Sequence, residues 1–139
     1  MEKNNKINLK LFRKSDLKFL YEMLSERNSN VNISHKIMPS YDDHVKFVNS
    51  KPYAKWYIIL FNNTKCGSIY LSKQDEIGIF LKKNTHCKGI GTEAMNILMK
   101  RNPRLRYLAN INPKNTKSIK FFKQNNYKLL QYTYELITE

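Results

Sequence analysis

Two closely spaced glycines stand where an apolar strand pattern changes to a helical one. The strand pattern ends near Leu81, and a helical period begins at Gly89 and Gly91. A glycine turn that opens a helix points several backbone N–H groups outward beside the positive end of the helix dipole, which favours a pyrophosphate. Positive charge is added there by three lysines, Lys82, Lys83 and Lys88. The same glycines also fit a tight turn that binds no ligand.

Two segments in this part of the chain resemble motifs of a known family. Residues 86–91 read His-Cys-Lys-Gly-Ile-Gly, similar to the pyrophosphate motif Arg/Gln-x-x-Gly-x-Gly/Ala of the GNAT superfamily of acyl-CoA-dependent N-acetyltransferases. Histidine replaces the usual arginine or glutamine. Residues 115–127 resemble that family's Asn-x-x-Ala/Ser-x-x-Phe/Leu-Tyr/Phe-x-x-x-Gly-Phe segment, with Asn126 in place of glycine, which a left-handed backbone permits. Both matches occur in the family's order, so the chain is identified as GNAT-like.

This resemblance implies acetyl-CoA as the acetyl donor, attacked directly by a bound amine in a ternary complex. The backbone groups of Phe80 and Leu81 would contact the pantetheine arm between two splayed strands. The diphosphate would be lined by His86, Lys88, Gly89, Ile90, Gly91 and Thr92. Asn115 and Phe122 would complete the cofactor site, although Asn115 is equally suited to a plain helix N-cap. No metal is expected.

The reaction requires a proton acceptor, because an ammonium group cannot attack a thioester. Family enzymes often carry a carboxylate for this purpose on the fourth strand, and here Glu76 begins that strand. Asp75 precedes it, and strand register decides which carboxylate faces the cleft. His35 and His44 are rival bases, because histidine titrates near neutrality.

A proton donor for the departing thiolate is expected, and here the sequence departs from the family. Many members carry a tyrosine where this chain has Phe122, whose ring cannot donate a proton. Tyr132 or Tyr134 on the predicted last strand could serve instead, or the thiolate leaves unaided. Cys87 lies inside the phosphate loop, which predicts an inert residue rather than an acyl carrier.

The acceptor is expected to bind through the first half of the chain. Residues 41–50, followed by an apolar strand from Trp56, resemble the His-x-x-Phe region of acetyltransferases that modify 4-amino-4,6-dideoxy sugars on nucleotides. This implies a nucleotide-linked amino sugar, an anionic small molecule, as acceptor. A plain helix with Val45, Phe47 and Val48 packed and His44 exposed fits the same residues. Acetylation of a protein N-terminus or lysine, and an acyl-CoA-binding module without activity, stay open as alternatives.

The elements that position these residues are predicted in the order β, α, α, β, β, β, α, β, α, β. They are expected to form a single α/β domain over residues 1–139. The resemblance implies a GNAT-like mixed, mostly antiparallel central sheet flanked by helices. Late strands are predicted at Arg106–Ile111 and Tyr127–Ile137. Most family members have two strands after the last helix, and this chain has room for one. A seventh strand is therefore either missing or supplied by a partner chain in a homodimer.

Composition limits the partners. The 139 residues include 25 Lys+Arg and 11 Asp+Glu, a net charge of +14 that favours anionic partners. The lysines are scattered and no aromatic nucleic-acid motif accompanies them, so nucleic acid is not expected; the coding composition of an AT-rich genome explains the excess equally well. No apolar run could span a bilayer and no signal peptide precedes the first strand, so a cytoplasmic protein without membrane contact, with Cys66 and Cys87 reduced, is expected.

Overall fold

The computed structural model describes residues 6–26, 38–83, 85 and 89–138. Four strands form one antiparallel sheet in chain order: β1 (Ile7–Leu11), β2 (Lys55–Phe61), β3 (Thr64–Leu71) and β4 (Ile77–Leu81). The helices are α1 (Leu17–Glu26), α2 (Tyr41–Asn49), α3 (Ile90–Arg101) and α4 (Thr116–Gln124), with a 3-10 turn at Lys14–Asp16 before α1. The predicted α/β class, a mostly antiparallel sheet flanked by helices, is confirmed.

Both faces of the sheet are covered by helices, because β2 carries apolar side chains on both sides. Ile59 packs on one face with Met95 and Leu98 of α3. Ile58 packs on the opposite face with Leu20 and Met23 of α1. Full burial of such side chains stabilises the fold by about 1.5–3 kcal/mol each. The sheet therefore separates two layers of helices, and a site that uses both layers must pass through it.

The turn between β2 and β3 is formed by two asparagines in the left-handed conformation. Asn62 has φ of 50° and Asn63 has φ of 68°. Positive φ at both central residues is the requirement of the tight hairpin turn that matches the twist of paired strands, and asparagine tolerates it. Asn126, with φ of 71°, ends the α4 region in the same conformation. The hairpin and the role of Asn126 are confirmed.

The two late strands differ from the prediction. Residues 106–111 contribute only one parallel bridge, between Leu108 and Glu76. Residues 127–137 have an alternating sequence but form no strand in the described chain. An extended segment becomes a strand only when a neighbour bonds to its backbone, and within the described residues no strand does so.

The orientation of α2 also differs. Val48 is buried as predicted, but His44 is buried as well, with 7% of its surface exposed, while Phe47 is 36% exposed. The ring of Tyr21 from α1 lies 5.3 Å from the His44 ring, between centroids. α2 is thus turned so that His44 faces α1 and the interior, because an aromatic side chain of α1 is available to pack against it.

A buried carboxylate ties the start of α1 to the sheet. Asp16 is fully buried, and its two oxygens lie 2.6 Å from the Nζ atoms of Lys10 on β1 and Lys65 on β3. The N–H of Arg13 donates to it at 2.9 Å. Burial alone would raise the pKa of Asp16, but the hydrogen bonds from Lys10, Lys65 and Arg13 outweigh burial, so the pKa lies below its ordinary value of 3.8. Asp16 is therefore ionised in the folded protein at neutral pH.

We expect Asp16→Asn to lower the free energy of unfolding by about 1–3 kcal/mol at neutral pH, because an amide cannot pair with two ammonium groups. The folded pKa lies below the unfolded value of 3.8. The stabilisation is therefore complete above the unfolded pKa and lost as the pH falls through the folded pKa. Urea unfolding at neutral pH and at about pH 3 measures the difference between wild type and variant, which should shrink at the lower pH.

Glu22→Gln is the matched control, because Glu22 is an exposed carboxylate on α1, the helix that follows Asp16. It should change the free energy of unfolding by no more than about 0.5 kcal/mol at either pH. A cost of Asp16→Asn that stays the same at both pH values would contradict the ion-pair explanation.

Candidate active site

β4 and the segment 106–112, which follows α3, run side by side for one step and then separate. The N–H of Ile77 donates to Leu108 O at 2.7 Å, and the N–H of Leu108 donates to Asp75 O at 2.9 Å. Among the described residues, the backbone bonds that would continue this parallel pairing at Asn110 are not formed. A cavity of about 920 Å³ opens at the separation and is lined from both helical layers.

The edge of β4 presents backbone polar groups to this gap. In an antiparallel pair, every second residue directs its N–H and C=O groups at the partner strand. The hydrogen bonds at both ends of the β3–β4 pairing show that Phe80 is one of the residues of β4 that face β3 in this way. Ile79 and Leu81 direct theirs into the gap. The backbone groups of Phe80 and Leu81 were expected to face the gap. Those of Leu81 do, but the second residue that faces the gap is Ile79 rather than Phe80. The side chain of Phe80 lines the cavity.

α3 begins at a glycine in the left-handed conformation. Gly89 has φ of 85°, and the space where a Cβ would stand is open among the described residues. The N–H groups of Ile90, Gly91 and Thr92 precede the first helical bond, from Glu93 N–H to Gly89 O, and no described side chain caps them. Uncapped N–H groups at the positive end of a helix, beside open space, fit the pyrophosphate of an acyl-CoA.

Gly91 has a packing role that the sequence analysis did not predict. A Cβ on Gly91 would stand 2.9 Å from the ring of Phe121 on α4, closer than real side chains approach. Phe121 in turn lines the cavity, whereas Ile90, Gly91 and Thr92 at the start of α3 do not. The absence of a side chain at Gly91 therefore lets α3 and α4 approach each other where the cavity wall is built.

The start of α4 forms another part of the wall. Asn115 lines the cavity and also caps the helix, because its Oδ1 accepts from the N–H of Ser118 at 3.2 Å. Phe122 is buried and lines the apolar part. Lys114 and Lys117 line the cavity from the same end. The two roles expected of Asn115 are thus compatible, and this end of the cavity is basic.

Glu76 is held in place at the closed end of the gap. Its Oε1 accepts from the hydroxyl of Ser72 at 2.9 Å, and its Oε2 accepts from Nδ2 of Asn110. Asn110 lines the cavity, whereas Glu76 does not line it and is connected to it through this hydrogen bond from Asn110. Asp75 is turned away at the β3–β4 turn, with φ of 64° and an ion pair to Arg104 at 3.0 Å. Of the two candidate carboxylates, Glu76 is the one next to the cavity.

The other face of the sheet supplies an aromatic group: Phe47, Tyr53, Trp56 and Tyr70. Tyr53 and Tyr70 are stacked with ring centroids 3.7 Å apart, and Trp56 meets Tyr53 edge-on at 4.8 Å. All four line the cavity, as does His44. Gly78 on β4 makes this possible, because a Cβ there would overlap the Tyr70 ring. The His-x-x-Phe residues of α2 therefore face the same cavity as α4.

The remaining candidates are not brought to this site. Tyr132 and Tyr134 are 75% and 90% exposed and do not line the cavity. Burial, and to a smaller extent the nearby Tyr107, raises the pKa of Tyr127 to about 12. The hydroxyl of Tyr127 donates to Met95 Sδ rather than facing the cavity. Three candidates, His35, His86 and Lys88, lie outside the described residues, as does Cys87.

Two further findings concern metals and membranes. Among the described residues, no group of three or more His, Cys, Asp or Glu side chains is placed to hold a metal ion. No helix in that part of the chain is long and apolar enough to cross a bilayer. Cys66 is buried in the core between the sheet and α3.

Several residues of the site were missed by the sequence analysis. Ser72 and Asn110 hold Glu76, and they come from different segments that only the fold brings together. Tyr70 lies opposite Gly78 in the register of β3 and β4, a pairing that the hairpin length could have indicated. Lys114 directly precedes Asn115, and Lys117 follows Asn115 by two positions. The positive charge beside this motif could therefore have been noted from the sequence.

Solved structures with the same fold were found by comparison. A domain from Methanocaldococcus jannaschii DSM 2661 is 26% identical, with a TM-score of 0.81 over 95% of this chain and 94% of that chain. The ribosomal L7/L12 alpha-N-protein acetyltransferase RimL, solved with coenzyme A, is 17% identical, with a TM-score of 0.71 over 90% and 81%. Spermidine N-acetyltransferase from Vibrio cholerae, solved with CoA and spermine, is 14% identical, with a TM-score of 0.69 over 85% and 78%.

Sequence comparison gives the family. No curated protein matches the chain. The acetyltransferase (GNAT) family matches it over residues 17–127, a span that includes β2 to β4, the glycine turn, α3 and α4. Because this match covers most of the chain and the fold agrees with it, the protein belongs to the acetyltransferase (GNAT) family and is an acetyl-CoA-dependent N-acetyltransferase.

Proposed function

We propose that the protein acetylates the amino group of a nucleotide-linked amino sugar of the 4-amino-4,6-dideoxy type. The observation that carries the proposal is one continuous cavity, which joins the basic α4 end to the aromatic group through the gap beside β4. Two substrates can therefore meet in the gap from opposite faces of the sheet. The proposal includes a cytoplasmic location.

The donor side has the groups that acetyl-CoA requires. The backbone of Ile79 and Leu81 offers hydrogen bonds to the pantetheine amides, and the uncapped N–H groups of Ile90 to Thr92 offer bonds to the diphosphate. Asn115 lines the same cavity as Ile79 and Leu81. When bound, acetyl-CoA supplies the thioester that an amine attacks.

The acceptor side suits a flat, polar and anionic molecule. Tyr53, Trp56 and Tyr70 provide ring faces on which a sugar or a nucleobase can stack. Lys83, two residues after β4, lines the same cavity and offers charge to a diphosphate, and Lys114 and Lys117 line it from the opposite end, at the start of α4. His44 and Phe47, the residues of the His-x-x-Phe resemblance, lie on this wall.

Glu76 is the proposed proton acceptor. The bonds from Ser72 and Asn110 fix its carboxylate, so it is oriented before the acceptor binds. The proton passes from the acceptor's ammonium to Glu76 through a water beside Asn110, and the free amine then attacks the thioester carbon. The carbon–sulfur bond breaks as the amide bond forms, and CoA leaves as a thiolate that takes up the proton released by the amide nitrogen. His44 is the rival base, because its imidazole is on the wall of the cavity.

A second candidate function is acetylation of a protein N-terminus. The likeness of this fold to the ribosomal L7/L12 alpha-N-protein acetyltransferase favours it, at 17% identity. Such an acceptor would extend out of the cavity as a peptide.

We expect Thr92→Glu to weaken acetyl-CoA binding at least tenfold. Thr92 is the third residue of α3, where a carboxylate stabilises a helix through its dipole but repels a diphosphate bound to the same N–H groups. Affinity should therefore fall while stability is unchanged or higher. Isothermal titration with acetyl-CoA and thermal unfolding of the free protein measure the two effects.

Asn96→Glu is the control for Thr92→Glu. Asn96 is exposed on the same helix, one turn further from its start, so the same charge is added away from the uncapped N–H groups. It should leave acetyl-CoA affinity within about twofold, because a helix dipole acts mainly within the first turn. Equal losses in the two variants would overturn the assignment of the diphosphate to the start of α3.

Glu76→Gln is expected to lower kcat by about 10²- to 10⁴-fold at neutral pH, the range for loss of a positioned base. Binding of acetyl-CoA should be little changed. The loss should become smaller as the pH rises, because a larger fraction of the acceptor is then already a free amine. Steady-state kinetics across pH, with CoA release as the readout, measure this effect.

Asp75→Asn is the matched control, because Asp75 is the neighbouring carboxylate but is paired with Arg104 away from the cavity. It should keep kcat within about threefold of wild type, as expected of a group that takes no part in proton transfer. His44→Gln tests the rival. If it alone produces a loss that shrinks with pH, the base is His44 and not Glu76.

An acceptor series tests the substrate class. A nucleotide-linked 4-amino-4,6-dideoxy sugar should give a kcat/KM at least tenfold above that of the same sugar without its nucleotide. Removal of the nucleotide takes away the diphosphate that the lysines bind and the nucleobase that stacks on the ring faces. A peptide with a free N-terminus and spermidine complete the series, with free CoA measured for each.

A peptide acceptor that exceeds the nucleotide-linked sugar would replace the proposal with the second candidate function. Acetyl-CoA binding without CoA release for any acceptor would favour the binding module. Equal rates for the sugar with and without its nucleotide would remove the nucleotide from the proposal.

A further inference from the structure

One buried hydroxyl on the wall of the cavity has no partner. Ser68, in the middle of β3, is only 2% exposed and lines the cavity. Its hydroxyl forms no hydrogen bond within the described residues, whereas that of Ser72 on the same strand end donates to Glu76. Buried polar groups are nearly always hydrogen-bonded, because burial removes their water. The Ser68 hydroxyl is therefore available to a group that enters the cavity.

Ser68 lies on the aromatic side of the sheet, in apolar surroundings. In the strand register it stands opposite Ile58 of β2 and Phe80 of β4, and residues paired in this way share a face of the sheet. Ile58 packs against apolar side chains of α1. Tyr70, two residues further along β3, is on the same face. The hydroxyl is thus an isolated polar group on the wall assigned to the acceptor.

A second polar group on this face also lacks a partner. Nε1 of Trp56 is buried, and no described residue accepts a hydrogen bond from it. Trp56 precedes Ile58 by two residues on β2, so it is a diagonal neighbour of Ser68, a separation that a long side chain can span. Trp56 lines the same cavity. Two unpaired polar groups on one apolar wall indicate that a polar ligand completes it.

The chemistry of the two groups limits what can bind there. An indole N–H can only donate a hydrogen bond, whereas a serine hydroxyl can donate or accept one. The ligand atom must therefore be an acceptor. A charged group would lose its water among apolar side chains, which is costly. A neutral oxygen, such as that of a hydroxyl or a carbonyl, meets both conditions.

We propose that Ser68 binds a neutral oxygen of the acceptor next to its reacting amine, and that Trp56 supports this contact from the same wall. The inference rests on the proposed function, in which the acceptor is a 4-amino-4,6-dideoxy sugar and this oxygen is the hydroxyl on the carbon beside the amine. The position fits, because Phe80, opposite Ser68, lies between Ile79 and Leu81, whose backbone groups face the gap.

Ser68 would then determine specificity. A site built to hydrogen-bond a substrate hydroxyl rejects an analogue without that hydroxyl, because the buried group is left unpaired. The same contact would turn the sugar ring so that its amine points towards the gap beside β4. Ser68 acts on recognition and orientation, and the proton is still taken by Glu76.

We expect Ser68→Ala to lower kcat/KM for the acceptor by about tenfold or more at saturating acetyl-CoA, mainly through KM. The free protein should be as stable as wild type or more stable, because no hydrogen bond is lost. A merely structural serine would give the opposite pattern, a lower Tm with an unchanged KM. Steady-state release of CoA and thermal unfolding measure the two effects.

Ser118→Ala is the matched control. Ser118 is half-buried and lines the same cavity, but from α4 on the other side of the sheet. The same hydroxyl is removed there, and the N–H that Asn115 accepts from is kept. It should leave kcat/KM for the acceptor within about threefold of wild type. Equal losses in the two serine variants would overturn the assignment to Ser68.

An acceptor analogue without the neighbouring hydroxyl gives a second measurement, which for the wild type needs no variant. The wild type should use the deoxy analogue about tenfold less well or worse, whereas Ser68→Ala should discriminate by less than about threefold, because both changes remove one contact. If the two proteins discriminate equally, Ser68 does not bind this hydroxyl and the inference is wrong.

Failure of the proposed function gives a different result. If the sugar is the best acceptor but Ser68→Ala keeps its kcat/KM, only the inference is overturned. If a peptide is the best acceptor, the proposed function fails, and the inference stands only if Ser68→Ala lowers kcat/KM for the peptide, whose first carbonyl lies beside its amine. A best acceptor without such an oxygen, spermidine for example, or no CoA release with any acceptor, would overturn both.

Discussion

The structure depends on one parallel contact that is not continued. Leu108 bonds to both Asp75 and Ile77, and beyond it the two backbones part. If the pairing continued, the sheet would be sealed and the helical layers on its two faces would have no connection. Because it stops, the groups of Ile79 and Leu81 that would have bonded to a strand are offered to a ligand instead. In the proposed complex, the pantetheine arm of acetyl-CoA takes the hydrogen-bonding place of the missing strand residues.

The surrounding sequence keeps the gap open and gives it two different sides. On the α4 side, the absence of a side chain at Gly91 lets Phe121 and the basic start of α4 close in on the cavity. On the α2 side, Gly78 makes room for the Tyr70 ring, which turns the sheet face into an aromatic surface. The pair formed by Glu76 and Asn110 stands where the two strands part. The two sides of the cavity therefore differ in chemistry, one basic and one aromatic, as the proposed pair of substrates requires.

The sequence predicts local features of this protein well and non-local ones poorly. The asparagine turn, the start of α3 at the glycine turn and the cap at Asn115 follow from backbone preferences of a few neighbouring residues. The burial of His44 was not predicted, because it depends on Tyr21, which is far away in sequence. The direction of the Phe80 backbone and the hydrogen bonds of Glu76 depend on register between strands, where a shift of one residue reverses every group.

The late strands show most clearly what a single sequence leaves undetermined. Their alternating pattern states which side chains share a face, but it does not state which chain provides the hydrogen bonds. Residues 106–112 pair with β4 on one side of their backbone, at Leu108, and residues 128–138 form no strand in the part of the chain that the structure describes. A local pattern therefore predicts a strand correctly only where the fold also brings a partner backbone into reach, as it does for β1 to β4.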